Sequence, residues 1–341
     1  MDNVLYDVQF VQNSNSEKLL IVSGDPGVII YKWSDFGRAI QAIKDQHTTD
    51  FESLPNETPI IDITPITSFH PHPFPAENIE INSTSYDSIN NLLYGAAGDG
   101  FGCYQWDLDT QKLLGTFGGS VGGRGMNKGH ADYLHVVKTL SDGVVITGGE
   151  DGNLGFWNGK ERKLIQMYNI QSTMDNKKAL VSGQSSNRGF LSNTSTTWNN
   201  GSRLWVSSMD TNGNWLSICG GAENGNNGLA GRSSSAPATS GFMTLWHLPT
   251  RSFTSGYVTR ESINAVAYNP YLDLFVTGAN EGRISYWDPT KAARVGRAWC
   301  TPSSTYALSI SPKSGLMVAG GCGGMLDCFV DRVKVSQLRY S

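Results

Sequence analysis

The chain has 341 residues, enough for one large core, with 26 basic and 30 acidic residues and a formal net charge of −4. That balance offers no global attraction for a phosphate backbone, and 16% charged residues with 39 glycines and 10% aromatics excludes a charged disordered chain. The opening MDNVLYDVQF has no basic stretch leading into an apolar one, and no apolar run reaches the length of a membrane span, so a soluble intracellular protein is expected.

From the N-terminus, VLYDVQF (4–10) reads as a strand, and LLIVSGDPGVIIYKW (19–33) as two strands around a glycine turn, ending in an aromatic. Residues 44–75 carry Pro55, Pro59, Pro65, Pro71, Pro73 and Pro75, which oppose a continuous strand, so they read as a loop insertion. Within it IIDIT (60–64) is the one candidate for an edge strand or for packing on a rim. The strand–turn–strand pattern returns in LLYGAAGDGFGCYQW (92–106), followed by an outer strand KLLGTF (112–117) and a mobile glycine-rich loop over 118–129. Next come YLHVVKTL (133–140), VVITGGEDGNLGFW (144–157) and KLIQMYN (163–169). Residues 171–203 and 222–241, rich in Ser, Asn and Gly, read as flexible insertions flanking LWVSSMD (204–210) and WLSICGG (215–221), with FMTLW (242–246) beyond them. The last third is regular: SINAVAYNP (262–270), LFVTGANEGRISYW (274–287), RVGRAW (294–299), TYALSISP (305–312), LMVAGGCGGMLDCF (316–329) and VKVSQLRY (333–340).

The blade-end aromatics Trp33, Trp106, Trp157, Trp246, Trp287 and Phe329 follow one another at intervals of 73, 51, 89, 41 and 42 residues. Four short strands repeated at roughly 40–45 residues is the grammar of a WD40-type β-propeller. The expected fold is therefore all-β, one propeller over 1–341 with six clear blades and the long intervals filled by loop insertions. A seventh blade could lie in 44–90 or 171–203. A circle left open would expose strand edges and invite pairing with another chain. Alternation in Leu154/Phe156 and Ile284/Tyr286 marks one strand face, with Trp157 and Trp287 on the other.

His130, Thr147, Asp151 and Trp157 stand where one blade would hold an internal hydrogen-bond network. The same residue types could be read as a hydroxyl–imidazole–carboxylate catalytic set, but the blade periodicity already accounts for all four. Other blades carry fewer of these residues: Asp99 occupies a turn without a preceding Gly-His, blade five has Thr277 and Trp287, and Gly323 replaces the acid in the last. His70-Pro71-His72 lacks a third metal ligand nearby, and GGSVGGRG (118–125) lacks the Gly-Lys-Ser/Thr ending of a phosphate loop. Cys103, Cys219, Cys300, Cys322 and Cys328 form neither an even disulfide set nor a zinc quartet and read as buried thiols. No catalytic residue, metal, cofactor or small-molecule substrate is expected. For partner binding the candidates are Tyr133, Trp198 and Trp205, with Arg124 and Lys128 in the glycine-rich loop. Each has a plainer reading, as a core aromatic or a solvated charge.

The wording of the blades is similar to the THO complex subunit six family, carried by GHADYLHVV (129–137), ITGGEDGNLGFWN (146–158), WLSICGG with LWHL (245–248), and VAGGCGGMLDCFV (318–330). The resemblance implies a nuclear, non-catalytic scaffold of the transcription–export machinery, docked on the coiled-coil fifth and seventh THO subunits, supporting mRNA processing and export, with RNA contact indirect or weak. Family proteins usually have a blade before the one matching VLYDVQF through Trp33, so six blades, an incomplete gene model and a hidden seventh blade are all compatible. Two alternatives remain: a WD40 interaction scaffold of another complex, and a substrate receptor of a cullin-4 ubiquitin ligase. The latter needs Trp-Asp-x-Arg, whereas Trp287-Asp288 is followed by Pro289-Thr290 and Trp157 by Asn158-Gly159-Lys160.

Overall fold

A computed structural model describes residues 5–13, 15–25, 27–46, 63–69, 79–98, 102–119, 129–182, 203–223 and 239–339. Among them lie six four-stranded antiparallel sheets, each built from strands that follow one another in the chain. The first holds β1 (Leu5–Gln12), β2 (Lys18–Gly24), β3 (Gly27–Lys32) and β4 (Thr67–Phe69), and the second β5 (Ile81–Asp87), β6 (Leu92–Ala97), β7 (Cys103–Asp107) and β8 (Lys112–Phe117). The third comprises β9 (Leu134–Thr139), β10 (Val144–Gly149), β11 (Asn153–Asn158) and β12 (Lys163–Asn169). The fourth comprises β13 (Arg203–Thr211), β14 (Trp215–Glu223), β15 (Thr239–His247) and β16 (Ser252–Thr259). The fifth holds β17 (Ile263–Asn269), β18 (Leu274–Ala279), β19 (Arg283–Asp288) and β20 (Ala293–Trp299), and the sixth β21 (Thr305–Ile310), β22 (Met317–Gly321), β23 (Met325–Val330) and β24 (Val333–Arg339). This is a six-bladed β-propeller.

Strand periodicity explains why the blades stack. On β11, Leu154 and Phe156 enter the core shared with the fourth blade, while Trp157 enters the core shared with the second. On β19, Ile284 and Tyr286 face the sixth blade, while Trp287 faces the fourth. A side-chain period of two thus gives each sheet two apolar faces, and burying one large apolar side chain contributes about 1.5–3 kcal/mol. The inner strands pack side by side in chain order from β1 through β5, β9, β13 and β17 to β21. Polar side chains staple them. The Thr84 amide donates to Asp7 Oδ2 at 2.8 Å, the Thr139 amide to Ser85 Oγ at 2.9 Å, and the Tyr268 amide to Asp210 Oδ2 at 2.7 Å.

Three expectations need correction. Trp33 does not end a blade strand: β3 stops at Lys32, and Trp33 opens helix α1 (Trp33–Gln46). Asp35 in the first turn accepts from Arg38 at 2.5 Å and favours the helix N-terminus. The strand position held elsewhere by the tryptophan belongs here to Tyr31, which pairs with Leu20. Second, the insertion over 44–75 begins as the end of α1 and supplies β4, the outer strand of its blade, paired to β3. Of IIDIT, residues 60–62 lie outside the described residues and 63–64 are not strand. Third, the flexible segment assigned to 171–203 opens as helix α2 (Ile170–Ser182). Asn169 caps it, with Oδ1 accepting from the Ser172 amide at 3.0 Å, and Ile170 and Met174 bury themselves in the core between blades three and four. The rest of that stretch to 202, and 224–238, lie outside the described residues, as do Asp99, His70 and His72. Cys103, Cys219 and Cys328 are buried as expected, but Cys322 is exposed and Cys300 half-buried, because their loops sit at the rim. No helix among the described residues is long and apolar enough to cross a membrane.

Close approach fixes the glycines of WLSICGG. Trp205 pairs with Gly221 and its ring lies where a Gly221 side chain would be. Gly221→Ala is expected to lower stability by about 1–3 kcal/mol through overpacking, and Trp205→Leu in the same chain to restore part of that loss, measured by denaturant unfolding. Equal loss in the single and double variants would contradict the close contact.

Candidate functional site

The third blade gathers the four residues singled out in the sequence. Gly129–His130 lies just before β9, Thr147 on β10, Asp151 in the β10–β11 turn and Trp157 on β11. His130 Nδ1 stands 3.0 and 3.1 Å from the two Asp151 oxygens, and His130 Nε2 stands 2.8 Å from Thr147 Oγ1. The Trp157 indole N–H donates to the same Thr147 oxygen at 2.7 Å. The indole can only donate and the carboxylate can only accept, which orients the intervening groups. Thr147 therefore donates to Nε2, and the Nδ1 proton points at Asp151. Asp151 also accepts from the amides of Ala131 and Asn153 at 3.1 and 3.0 Å and from Asn153 Nδ2 at 2.9 Å.

His130 and Thr147 are fully buried and the Asp151 side chain is 7% exposed. Burial alone would push the Asp151 carboxyl up, but the His130 ring and the Ala131 and Asn153 amides outweigh it and hold the group at about 2. A threonine whose oxygen is already taken by an indole N–H, facing a sealed imidazole, has no approach for a substrate. The arrangement ties the strand preceding β9 to the β10–β11 turn. Parts of it recur: the Trp287 indole donates to Thr277 at 2.9 Å and the Trp246 indole to Thr244 at 3.1 Å. In the second blade, Gln105 Nε2 instead donates to Tyr94 Oη at 3.0 Å and to the Gly159 carbonyl at 3.1 Å, while Gln105 Oε1 accepts from Arg162 at 2.9 Å. Trp106, Trp157, Trp246, Trp287 and Phe329 are all buried between blades.

Of the partner-binding candidates, Tyr133 is half-buried, and its ring lies against Gly98 of the second blade. Trp205 lies over Gly221 within its own sheet. Trp198, Arg124 and Lys128 lie outside the described residues. The sequence reading missed the polar cluster beside Tyr133, where Arg203 pairs with Asp132 and Glu150, and Glu150 lies 3.3 Å from His135 Nε2. Burial lowers the His135 pKa, against the pull of Glu150. These charges bridge blades three and four on one rim and were invisible because they are scattered singly over 132–203. His247, in Trp-His-Leu, accepts or donates to Thr250 Oγ1 at 2.8 Å and stacks edge-on with Trp215 at 5.2 Å. It takes the turn-closing place that Asp288 fills for Thr290 and Lys291 in blade five. Burial pushes the Cys103 and Cys219 thiols up, away from nucleophilic character. Among the described residues no three His, Cys, Asp or Glu side chains converge as a metal site.

No family model matches the chain. THO complex subunit 6 of Arabidopsis thaliana is 27% identical over 328 residues, covering 94% of this chain and 70% of that protein. THO complex subunit 6 of Drosophila melanogaster is 30% identical over 88 residues, covering 26% of this chain and 22% of that protein. A chain in the crystal structure of the mitotic checkpoint complex superposes with a TM-score of 0.57 at 11% identity, covering 94% of this chain and 72% of that one, which is a likeness of fold alone.

Asp151→Ala is expected to cost about 1–3 kcal/mol at neutral pH by leaving the buried imidazole without its partner. The sign of the pH dependence follows from the depressed carboxyl, about 2 in the folded chain against about 3.9 unfolded. The Asp151 contribution is full above about pH 4, falls as pH drops from about 4 to about 2, and is absent below. Unfolding curves of the two proteins should therefore converge in acid. A gap that stays constant across that window would contradict the assignment.

Proposed function

From the chain's resemblance to THO complex subunit 6, we propose that it is a non-catalytic scaffold subunit of a THO complex. In this reading it works in the nucleus, supports assembly of the complex, and contributes through it to co-transcriptional mRNA processing and export. Its partners are other THO subunits, with the coiled-coil fifth and seventh the first expected, and RNA is handled by neighbours. The observation that carries the reading is similarity along 94% of the chain to a THO subunit, joined to a fold whose one complete His–Asp–Thr constellation is sealed by Trp157. A propeller offers rigid rims on which exposed loops meet partners, and the Asp132–Arg203–Glu150 cluster lies on such a rim. The ubiquitin-ligase reading gains nothing: Asp288 closes its own turn on Thr290 and Lys291, and no arginine follows at the docking position.

Purification of the tagged chain from nuclei is expected to recover the other THO subunits in stoichiometric amounts, identified by mass spectrometry. Recovery of cytoplasmic partners alone, or of a cullin-4 adaptor, would contradict the proposal.

A further inference from the structure

Six blades in a closed ring need six cores between them, and the described residues form five. Apolar clusters join blades one and two, two and three, three and four, four and five, and five and six. None joins six to one. The inner strands β21 and β1 do not pack side by side as the other neighbouring pairs do. Every sheet is complete with four strands from one stretch of chain, so no strand ties the first blade to the last. The ring is open, and what it exposes are two sheet faces rather than the strand edges expected from the sequence.

Both faces continue the established cores in register. On blade one, Val8 pairs with Val22 and Val22 with Ile29, while Phe10 pairs with Leu20 and Leu20 with Tyr31. Asp7 and Val11, the alternate residues of β1, face blade two, so this row faces the opening. Val8 is 52% and Phe10 62% exposed. On blade six, Met317, Ala319 and Phe329 face blade five. The alternate residues Val318 and Cys328 pair with each other, and Leu326 pairs with Leu338, on the face turned to the opening. These are the places that Leu154 and Phe156, or Ile284 and Tyr286, fill with complete burial in closed interfaces. Helix α1 leans on the wall of blade one, Trp33 against Phe10 at 4.8 Å and Phe36 against Tyr31 at 5.7 Å, yet Trp33 itself stays exposed.

We propose that this opening is a docking site for a β-sheet module supplied by a partner polypeptide, inserted as a further blade between blades six and one. The occupant must be a sheet, because both walls present cross-strand apolar rows, and face-to-face packing of such rows is what joins every other blade. It must carry two apolar faces, since the row residues on the walls are uncharged. The parts of this chain outside the description do not supply it: 47–62 contains HTTDFESLPNETP, 183–202 is Ser- and Asn-rich, and 224–238 is Gly- and Ser-rich. The proposal is independent of which complex the chain joins.

The test places the photoreactive p-benzoylphenylalanine at Phe10 in one full-length chain and at Leu326 in another, each expressed in its native cells and cross-linked before purification. Both sites are expected to capture the same segment of one other polypeptide, with adducts on alternate residues as a strand requires. Val8→Asp with Phe10→Asp is expected to reduce recovery of that polypeptide at least tenfold, while the exposed change Lys163→Glu leaves it unaltered. Cross-links joining the two walls, adducts on a second copy or on the same polypeptide, two unrelated captured segments, or no adducts would each overturn the proposal. The cross-linking arm stands whether or not the charged variant folds.

Discussion

Face-to-face stacking of small apolar sheets is the interaction on which this molecule rests. Each sheet taken alone would leave two hydrophobic faces in water, and a four-stranded sheet of five- to nine-residue strands has no interior of its own. Alternation along β11 and β19 sends neighbouring side chains into different cores, so the loss of one blade would uncover two interfaces. Hydrogen bonding serves this stacking. The Asp7–Thr84, Ser85–Thr139 and Asp210–Tyr268 contacts hold inner strands at fixed spacing. The His130–Thr147–Asp151–Trp157 relay locks one blade's entry to its central turn.

Legibility in the sequence followed the strength of alternation. Outer strands β12, β20 and β24 and inner strands β9, β17 and β21 could be placed from sequence because apolar residues recur at period two beside glycine turns. Strand β5, INSTSYD, escaped because its polar residues answer to neighbouring blades: Thr84 bonds to Asp7 and Ser85 to Thr139. The three-residue β4 escaped because the chain reaches it after a long excursion, and its placement depends on pairing with β3, a contact no local pattern encodes. Trp33 was misplaced for a related reason. It obeys the blade-end spacing, but with no sixth-blade core to enter, it caps a helix two residues past Tyr31. Of the site residues, the relay was legible because its members sit at fixed offsets within one blade. The Asp132–Arg203 bridge was not, because it joins two blades across 71 residues of sequence.

The same physics constrains function. Titratable groups that could have been reactive are spent internally: the imidazole is consumed by Asp151 and Thr147, and the buried thiols are raised by desolvation. What remains outward is rim charge over a stiff scaffold and an apolar opening between the first and last blades. A binding protein needs both kinds of surface, one for orientation and rate and one for affinity.

Distances between paired spin labels measured by pulsed electron resonance test the open ring most directly. With Cys322 replaced by serine, labels at the exposed positions Gln12, Asn90, Asp142 and Lys313 report on blades one, two, three and six. The account predicts that the Lys313–Gln12 separation exceeds the Gln12–Asn90 separation and approaches that of Gln12–Asp142. A Lys313–Gln12 distance equal to that between adjoining blades would mean a closed six-bladed ring and would contradict it.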